Sequence, residues 1–229
     1  MQNKLIRVFD IFFSLIALVG LLPLFIPIII ILRFTGEHEI FFLQERVGKD
    51  GKMFKLIKFA TMLKDSPNIG TGTVTVKDDP RILPFGRILR KTKINELPQL
   101  FNVLKGDMSF VGPRPQTIRC FNAFPEYLQK EIIKVKPGLS GIGSIVFRNE
   151  EELLDSAVGN RVEFYDKVIA PYKGELEKWF VNNRSIKNYF LLIFVTIWVV
   201  LFPMSNLHWK LFKDLPKIPD DLIGFLKLT

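Results

Sequence analysis

The chain has few cysteine and histidine residues, which form the disulfides of small secreted domains and bind structural zinc ions. It contains a single cysteine, Cys120, and two histidines, His38 and His208, which are far apart in the sequence. One cysteine cannot form an internal disulfide, and the sequence carries no paired-cysteine or cysteine–histidine motif. These shortages exclude a disulfide-stabilised scaffold and a structural zinc site.

Polar aromatic residues and acidic residues are also scarce. The 229 residues include 4 Tyr and 3 Trp against 22 Phe, so most of the rings carry no hydrogen-bonding group. Such rings favour a dry core or the acyl chains of a membrane. The chain has 23 Asp and Glu against 32 Lys and Arg, which gives a formal charge of +9. We therefore expect anionic partners, such as lipid headgroups, phosphorylated substrates or nucleic acid.

One long segment carries no charge at all. It runs from Ile11 to Leu32 and is long enough for a helix to cross a bilayer core of about 30 Å. The run is too long for the apolar part of a signal peptide and has no small-residue cleavage site after it. Pro23 and Pro27 lie in its middle, where each removes a backbone donor and predicts a kink or a break.

Positive charges flank this segment on both sides. Lys4 and Arg7 precede it, and six cations follow it: Arg33, Arg46, Lys49, Lys52, Lys55 and Lys58. By the positive-inside tendency, both ends prefer the cytoplasm. A helix–break–helix that enters and leaves by the same face satisfies the charges and the prolines together. A kinked full span is the alternative that stays open.

The first half of the remaining chain predicts a hairpin, a loop and two helices. Residues 36–59 are typical of a short β-hairpin that turns at Lys49-Asp50-Gly51. Residues 64–77 are polar and rich in glycine and threonine, so we expect a surface loop and a candidate lid. Residues 85–89 predict a short helix that ends near Lys91. Residues 95–105 predict an amphipathic helix with Asn95 as its N-cap and Gly106 at its end.

The second half predicts further helices. Residues 121–134 have the pattern of a second amphipathic helix, and residues 149–179 of a charged helical stretch interrupted near Pro171. The apolar run from Tyr189 to Phe202 is 14 residues long, which is short for a membrane span. We expect a helix that lies in the membrane interface or under the domain.

A basic segment followed by an acidic residue is the strongest chemical signal. Residues 81–95 contain no acid, and they lead into the predicted start of a helix, where unpaired N–H groups and the helix dipole favour phosphate. Glu96 then either complements that dipole or holds Mg²⁺, which commonly uses one or two protein carboxylates. Arg114, between two prolines, either solvates a turn or binds phosphate with two hydrogen bonds. Lys58 is either an ordinary strand-edge lysine or a functional cation. The cations of this basic segment are Arg81, Arg87, Arg90, Lys91 and Lys93.

The run KTKINELPQLFNVLKGDMSFVGPRPQ, residues 91–116, strongly resembles the bacterial sugar transferase family. These are the monotopic phosphoglycosyl transferases that start glycan assembly on polyprenyl phosphate. The resemblance covers residues 4–185 and is specific because many short matches occur in the same order. The other matching segments are Arg7-Val8-Phe9-Asp10 before the membrane segment, residues 42–62, Asp79-Pro80-Arg81, Phe85-Gly86-Arg87 and residues 136–141.

The resemblance implies a re-entrant membrane helix and an active site on the cytoplasmic face of the bacterial inner membrane. It implies Mg²⁺-dependent transfer of a sugar phosphate from a UDP-sugar to undecaprenyl phosphate, with release of UMP. Glu96 matches the glutamate that the family associates with the metal. Lys58, Arg90 and Arg114 match basic positions that the family places around the phosphates.

The sequence departs from the family at the catalytic position. Asn95 stands where the family carries the aspartate that forms a covalent phosphosugar, and an amide is a poor nucleophile. Three alternatives stay open: direct in-line transfer, attack by another carboxylate, or a degenerate form that serves as a membrane scaffold. Ala60 also replaces a usual arginine, and residues 142–144 lack the common Trp-Ala-Gln. The candidate substitute carboxylates are Asp78, Asp79 and Asp107.

We therefore predict an α+β, mostly helical cytoplasmic domain docked on the membrane. Residues 1–35 form the re-entrant element, 36–185 the catalytic domain, and 186–229 an interfacial helix with a tail. The expected partners are a UDP-sugar, undecaprenyl phosphate and membrane lipids, with no nucleic acid; formation of a homo-oligomer is left open. The competing hypothesis is a lipid-surface or nucleic-acid binder that uses the +9 charge alone, with salt-sensitive binding.

Overall fold

A computed structural model of the protein describes residues 2–69, 79–156 and 160–226. In this part of the chain the fold is mostly helical with two small sheets, which confirms the predicted α+β class. The strands are β1 (Phe41–Val47), β2 (Met53–Phe59), β3 (Ser109–Val111) and β4 (Gly138–Ser140). The helices are α1 (Gln2–Phe34), α2 (Pro84–Lys91), α3 (Gln99–Lys105), α4 (Ile118–Asn122), α5 (Glu126–Ile132), α6 (Ile142–Val146), α7 (Glu150–Ser156), α8 (Arg161–Phe164), α9 (Ala170–Asn182), α10 (Ile186–Leu201), α11 (Leu207–Leu211) and α12 (Asp220–Leu226).

The predicted hairpin is confirmed. Strands β1 and β2 pair antiparallel, with Phe41 opposite Phe59 and Val47 opposite Met53. The turn at 49–51 places Asp50 in the left-handed region at a φ of 57°. Because side chains alternate along a strand, Arg46 and Lys58 point to the same, inward face of the hairpin.

A second sheet was not predicted. Strand β3 pairs parallel with β4, a pairing of two three-residue strands. The two backbones approach so closely that a Cβ on Gly138 would lie 2.1 Å from the amide nitrogen of Gly112. Glycine at position 138 is therefore a condition of this pairing.

Helix α1 runs without interruption through Pro23 and Pro27. The predicted division into two helices is therefore wrong for this chain. Proline removes one backbone donor, but the neighbouring amides keep their own bonds, and an apolar segment offers the freed carbonyls few other partners. Pro23 and Pro27 are four residues apart, so both lie on the exposed side of α1. The re-entrant path through a membrane stays a prediction.

The N-terminal end of α1 is fixed to the domain by two polar side chains. Arg7 donates to the carbonyl oxygens of Val103 and Leu104, at 2.5 and 2.6 Å, and so satisfies the end of α3. Asp10 is 2% exposed, and its Oδ1 accepts three hydrogen bonds of 2.9 to 3.0 Å. The three donors are Ser109 Oγ, the N–H of Phe110 and Tyr189 Oη.

The C-terminal end of α1 packs on the same domain. Phe25, Ile28 and Leu32 are buried against β2, α2 and α3, and the Phe25 ring lies edge-on to Phe59 with centroids 5.3 Å apart. A helix of this length extends for about 50 Å. The domain therefore lies alongside α1, although only 17% of the most apolar window of α1 is buried.

Two predicted helices differ from the structure. Residues 121–134 form two short helices, α4 and α5, because Pro125 is the N-cap of α5 and separates them. Residues 149–179 are interrupted before α8 and again by a π-helical turn, Tyr165–Ile169, that leads into α9. Pro171 lies in the first turn of α9, where its missing N–H removes no hydrogen bond of that helix.

Helix α10 has one face buried against the domain and one face exposed. Tyr189, Leu192 and Val195 are buried against the domain, and Phe190 packs on Phe9 of α1 with ring centroids 5.0 Å apart. The opposite face is apolar and exposed. Its exposed residues include Phe194, Ile197, Val200, Leu201 and Phe202.

Most of the predicted lid, residues 64–77, lies outside the described residues. Its base is described: Arg81 is buried, binds both oxygens of Asp79, and donates to the carbonyl oxygens of Ser66 and Ile69. The two ends of the segment are thus held together at one point.

Replacing Asp10 should destabilise the protein, because Asp10→Ala leaves three buried donors without an acceptor. We expect a loss of about 3 kcal/mol in the free energy of unfolding. Asp10→Asn, which keeps an acceptor oxygen, should lose less. The measurement is urea unfolding in detergent micelles, with Glu126→Ala at an exposed position as the control. If Asp10→Ala is as stable as that control, Asp10 does not fix α1 to the domain.

Candidate active site

Three segments bring their side chains to one point in front of the hairpin. Glu96 pairs through Oε1 with Lys58 Nζ at 3.5 Å and with Arg114 Nη2 at 3.3 Å. The side chains of Glu96 and Lys58 are 19% and 18% exposed, so the cluster is half-buried rather than part of an apolar core. The structure thus brings together three of the five residues that the sequence singled out.

The backbone around Glu96 differs from the prediction. Residues Ile94–Glu96 form a 3-10 turn, and α3 begins only at Gln99 after Pro98. The N–H groups of Glu96 and Leu97 donate to the carbonyl oxygens of Lys93 and Ile94. These two amides are therefore occupied, and the predicted helix start at Asn95 is wrong. Phosphate binding by this basic segment stays a prediction.

Asn95 is not the N-cap that the sequence indicates. It lies inside the 3-10 turn, is 6% exposed, and its Oδ1 is buried with no hydrogen-bond partner among the described residues. A buried polar atom without a partner costs free energy, so it commonly marks a site where a ligand or water binds. Asn95 adjoins Glu96 in the chain.

Arg114 is held by its backbone. Each residue of the segment 112–116, which we call the arginine loop, makes one main-chain hydrogen bond to another part of the protein. The partners, in order, are Ser140 O, Gly138 N, Glu177 Oε1, Arg46 Nη1 and Val47 N. Pro113 and Pro115 restrict the flanks further. The sequence argument that rigid flanks orient Arg114 agrees with this geometry.

Arg46 is a site residue that the sequence analysis missed. Its guanidinium donates to Pro115 O at 3.0 Å and to Gln44 Oε1 at 2.5 Å. Burial, and to a smaller extent the nearby charge of Arg114, lowers the pKa of Arg46 from 12.5 to about 10. The two-residue alternation of β1 places Arg46 on the same face as Lys58, and this signal could have found it.

Only some cations of the basic segment, residues 81–95, lie near the cluster of Glu96, Lys58 and Arg114. Arg90 lies close enough to Lys58 to affect its pKa, and one of its guanidinium nitrogens is 3.8 Å from the sulfur of Met62. Lys93 acts on Glu96 in the same way. Arg81 is committed to Asp79, and Arg87 and Lys91 are exposed.

Electrostatics keep the central carboxylate charged. Burial alone would raise the pKa of Glu96, but Arg114, Lys58 and Lys93 together outweigh it and hold the pKa at about 2. Burial lowers the pKa of Lys58 to about 8, although Glu96 opposes this effect. At neutral pH the cluster therefore holds an ionised carboxylate and several cations, an arrangement that suits a phosphorylated ligand.

The chain matches the model of the bacterial sugar transferase family over residues 1–203. It belongs to the bacterial sugar transferase family. The family assignment makes the protein a transferase.

Individual relatives agree with the family. The chain is 30% identical over 208 residues to the exopolysaccharide production protein ExoY of Sinorhizobium fredii, covering 83% of each protein. It is 32% identical over 199 residues to the UDP-N-acetylgalactosamine-undecaprenyl-phosphate N-acetylgalactosaminephosphotransferase of Aeromonas hydrophila, covering 85% of this chain but only 43% of that protein.

A third relative matches a shorter part of the chain at a higher identity. The chain is 45% identical over 126 residues to a putative undecaprenyl-phosphate N-acetylgalactosaminyl 1-phosphate transferase of Bacillus subtilis, covering 55% of this chain and 68% of that protein. Several relatives are thus longer than the matched region.

The candidate site offers one carboxylate, that of Glu96, to a metal. Both ion pairs of Glu96 use Oε1, so in the described part of the chain Oε2 has no hydrogen-bond or ion-pair partner. The described residues contain no group of three or more His, Cys, Asp or Glu side chains that could hold a metal ion. This donor set fits Mg²⁺ only if phosphate oxygens and water complete its coordination, as they commonly do.

The charge of Lys58 should control phosphate binding near pH 8. As pH rises from 7 to 9, Lys58 loses its proton and the site loses one positive charge, so UDP should bind about tenfold more weakly. Calorimetric titration of UDP at both pH values measures this change. Lys58→Arg stays protonated and should show little pH dependence.

The same pKa has a defined effect on stability. Folding lowers the pKa of Lys58 from 10.5 to about 8, so the unfolded chain binds more protons between these values. The contribution of Lys58 to the free energy of unfolding therefore rises with pH across this range, while UDP binding falls. For the binding test, equal pH dependence of UDP affinity in Lys58→Arg and in the native protein would show that Lys58 is not the group that titrates near pH 8.

Proposed function

We propose that the protein transfers a sugar phosphate from a UDP-sugar to undecaprenyl phosphate, releasing UMP, and so initiates a surface glycan. The observation that carries the proposal is the ionised Glu96 between Lys58 and Arg114 on a domain docked along an apolar helix. The cations suit a diphosphate, and α1 suits contact with the membrane that holds a polyprenyl acceptor. The names of the Aeromonas and Bacillus relatives, which include undecaprenyl phosphate, support this acceptor.

The identity of the attacking group decides the mechanism. Asn95 carries no negative charge and is a poor nucleophile. Asp79 is bound to Arg81 through both oxygens, at 2.8 and 2.6 Å. Asp107 lies beyond the far end of α3, where it pairs with Lys105 at 3.4 Å. Asp78 lies outside the described residues. Both described alternatives are committed to other partners, which favours direct transfer.

In direct transfer an oxygen of undecaprenyl phosphate attacks the β-phosphorus of the UDP-sugar. One new P–O bond forms as the bond from that phosphorus to the bridging oxygen breaks, and the electron pair leaves with UMP. Lys58 and Arg114 balance the charge on the diphosphate. Because the Asn95 amide is neutral, it does not repel an incoming phosphate anion as an aspartate would.

Mg²⁺ is the metal that we propose for Glu96. Bound there, it would neutralise charge on the diphosphate oxygens. The chain's own part is to keep Glu96 ionised: the pKa of about 2 ensures a charged ligand at any physiological pH. Lys58 and Arg114 hold the same carboxylate in place through Oε1.

The contacts of α1 support a position of both its ends on the cytoplasmic face of the inner membrane. Residues near both ends of α1, Arg7 and Leu32, contact the same domain. A polar domain cannot lie on both sides of a bilayer, so a straight span is hard to reconcile with these contacts. The cations at both ends favour the cytoplasmic side.

Cysteine labelling tests this topology. In a Cys120→Ser background, Gln2→Cys and Thr35→Cys place one thiol at each end of α1. We expect a membrane-impermeant maleimide to label both from the cytoplasmic face of inverted vesicles and neither from intact spheroplasts. Labelling of the two positions from opposite faces would show a full span.

Turnover tests the reaction. The native protein, given undecaprenyl phosphate, Mg²⁺ and a panel of UDP-sugars, should release UMP with at least one sugar. Glu96→Gln should lower kcat by about 100-fold or more, because it removes the charged ligand. Glu126→Gln, at an exposed position, is the matched control and should leave the rate unchanged.

Intact mass separates the routes. With donor alone, the native protein should gain no mass, whereas an added phosphosugar would show that another residue attacks. If the native protein fails with every sugar while Asn95→Asp turns over, the chain is the degenerate scaffold of the family. Native turnover without a covalent adduct supports direct transfer.

A further inference from the structure

Glu177 is a buried carboxylate that the proposed reaction does not use. It lies on α9, is 1% exposed, and its Oε1 accepts the N–H of Arg114 at 3.1 Å. Its Oε2 is buried and has no hydrogen-bond partner among the described residues. A buried carboxyl group is unfavourable unless its contacts compensate. Its one described hydrogen bond reaches the arginine loop.

Two glycines, Gly141 and Gly143, line the space that the Glu177 carboxylate occupies. A Cβ on Gly143 would lie 2.3 Å from Glu177 Oε1, well inside any tolerable contact. A Cβ on Gly141 would lie 3.8 Å from Oε2, which is an ordinary contact. Glycine at 143 is therefore what lets the carboxylate reach Arg114.

The nearby charges do not bind Glu177 directly. Lys173 lies one turn earlier on α9, but its ammonium group donates to Glu150 of α7. Burial therefore dominates and raises the pKa of Glu177 to about 7, although Arg114 and Lys173 oppose the rise. The neutral form is well populated near neutral pH, so a neutral glutamine is a close mimic of this side chain.

The Pro113 carbonyl and the Arg114 N–H belong to one peptide unit, and each makes one hydrogen bond, the first from Gly138 N–H and the second to Glu177 Oε1. Pro113 and Pro115 have no N–H, so the amide of Arg114 is the one main-chain donor among these three residues. Its hydrogen bond to Glu177, together with the bond from Gly138 N–H to Pro113 O, sets the plane of the 113–114 peptide. That plane sets the direction in which the Arg114 side chain leaves the backbone toward Glu96.

We propose that Glu177 is a positioning residue: its carboxyl group fixes the Arg114 backbone so that the guanidinium meets Glu96 and the diphosphate of the substrate. This role rests on the proposed transfer for its effect on substrate. Its effect on the arginine loop can be measured without any substrate.

Two substitutions at Glu177 test the role. Glu177→Gln keeps an oxygen acceptor, whereas Glu177→Met fills similar volume and removes it. In Glu177→Met we expect faster hydrogen exchange in peptides covering residues 112–116 and a KM for the UDP-sugar raised about tenfold, with kcat changed much less. Glu177→Gln should keep native exchange and native KM. Glu175→Gln, on the same helix, is the matched control.

A glycine pair provides a second route in case Glu177→Met does not fold. Gly143→Ala should displace the carboxyl group and reproduce the faster exchange and raised KM. Gly224→Ala is the control, because a Cβ there meets nothing within 4 Å. In an Arg114→Ala background, Glu177→Met should add little to the KM, since its effect passes through the arginine side chain.

The outcomes separate the two proposals. If the native protein is active but neither Glu177→Met nor Gly143→Ala changes exchange or KM, the positioning role is wrong. If Glu177→Met adds its full effect in the Arg114→Ala background, Glu177 acts by general destabilisation and the role is also wrong. If the native protein shows no turnover with any sugar while exchange responds as expected, the transfer proposal fails and the positioning of the loop stands.

Discussion

The site depends on one carboxylate that is held ionised between two cations. Burial opposes this state, so Glu96 needs Lys58 and Arg114 close by, and each comes from a different segment of the chain. The hairpin supplies Lys58, the 3-10 turn supplies Glu96, and the arginine loop supplies Arg114. Much of the described fold serves to bring these three segments together: β1 pairs with β2, Pro98 delays the start of α3, and β4 and α9 support the loop.

The elements that follow from local chemistry could be predicted from the sequence. The hairpin was predicted from apolar residues on both sides of a Lys-Asp-Gly turn, and α2 from the short segment 85–89 with a break near Lys91. The end of α3 was marked by Gly106, which adopts a φ of 101° that favours glycine. The apolar α1 was marked by its length, although its continuity through two prolines was not. Lys58, Glu96 and Arg114 were found because residue type and family resemblance agreed.

The remaining features depend on contacts between distant residues, which a single sequence does not encode locally. Asn95 has the chemistry of an N-cap, but Pro98 and the left-handed Lys93 at a φ of 58° favour a 3-10 turn instead. Glu177 is more than sixty positions from Arg114 and lies in an ordinary charged helix. Strand β4 is three residues long, too short for any periodicity to show. Each becomes visible only when packing brings its partner close.

The arginine loop has a consequence for how the chain tolerates change. All five of its bonds use main-chain atoms on the loop side, and three of the partner atoms, in Ser140, Gly138 and Val47, are main-chain atoms too. Replacing the side chain of Val47 with one of similar size therefore leaves its main-chain bond to the loop intact, so we expect such substitutions to be tolerated. The sensitive positions are the ones without a side chain, Gly112 and Gly138, where adding a single methyl group would push two backbones apart. A deep mutational scan of this region should consequently show its sharpest intolerance at residues that carry no chemistry of their own.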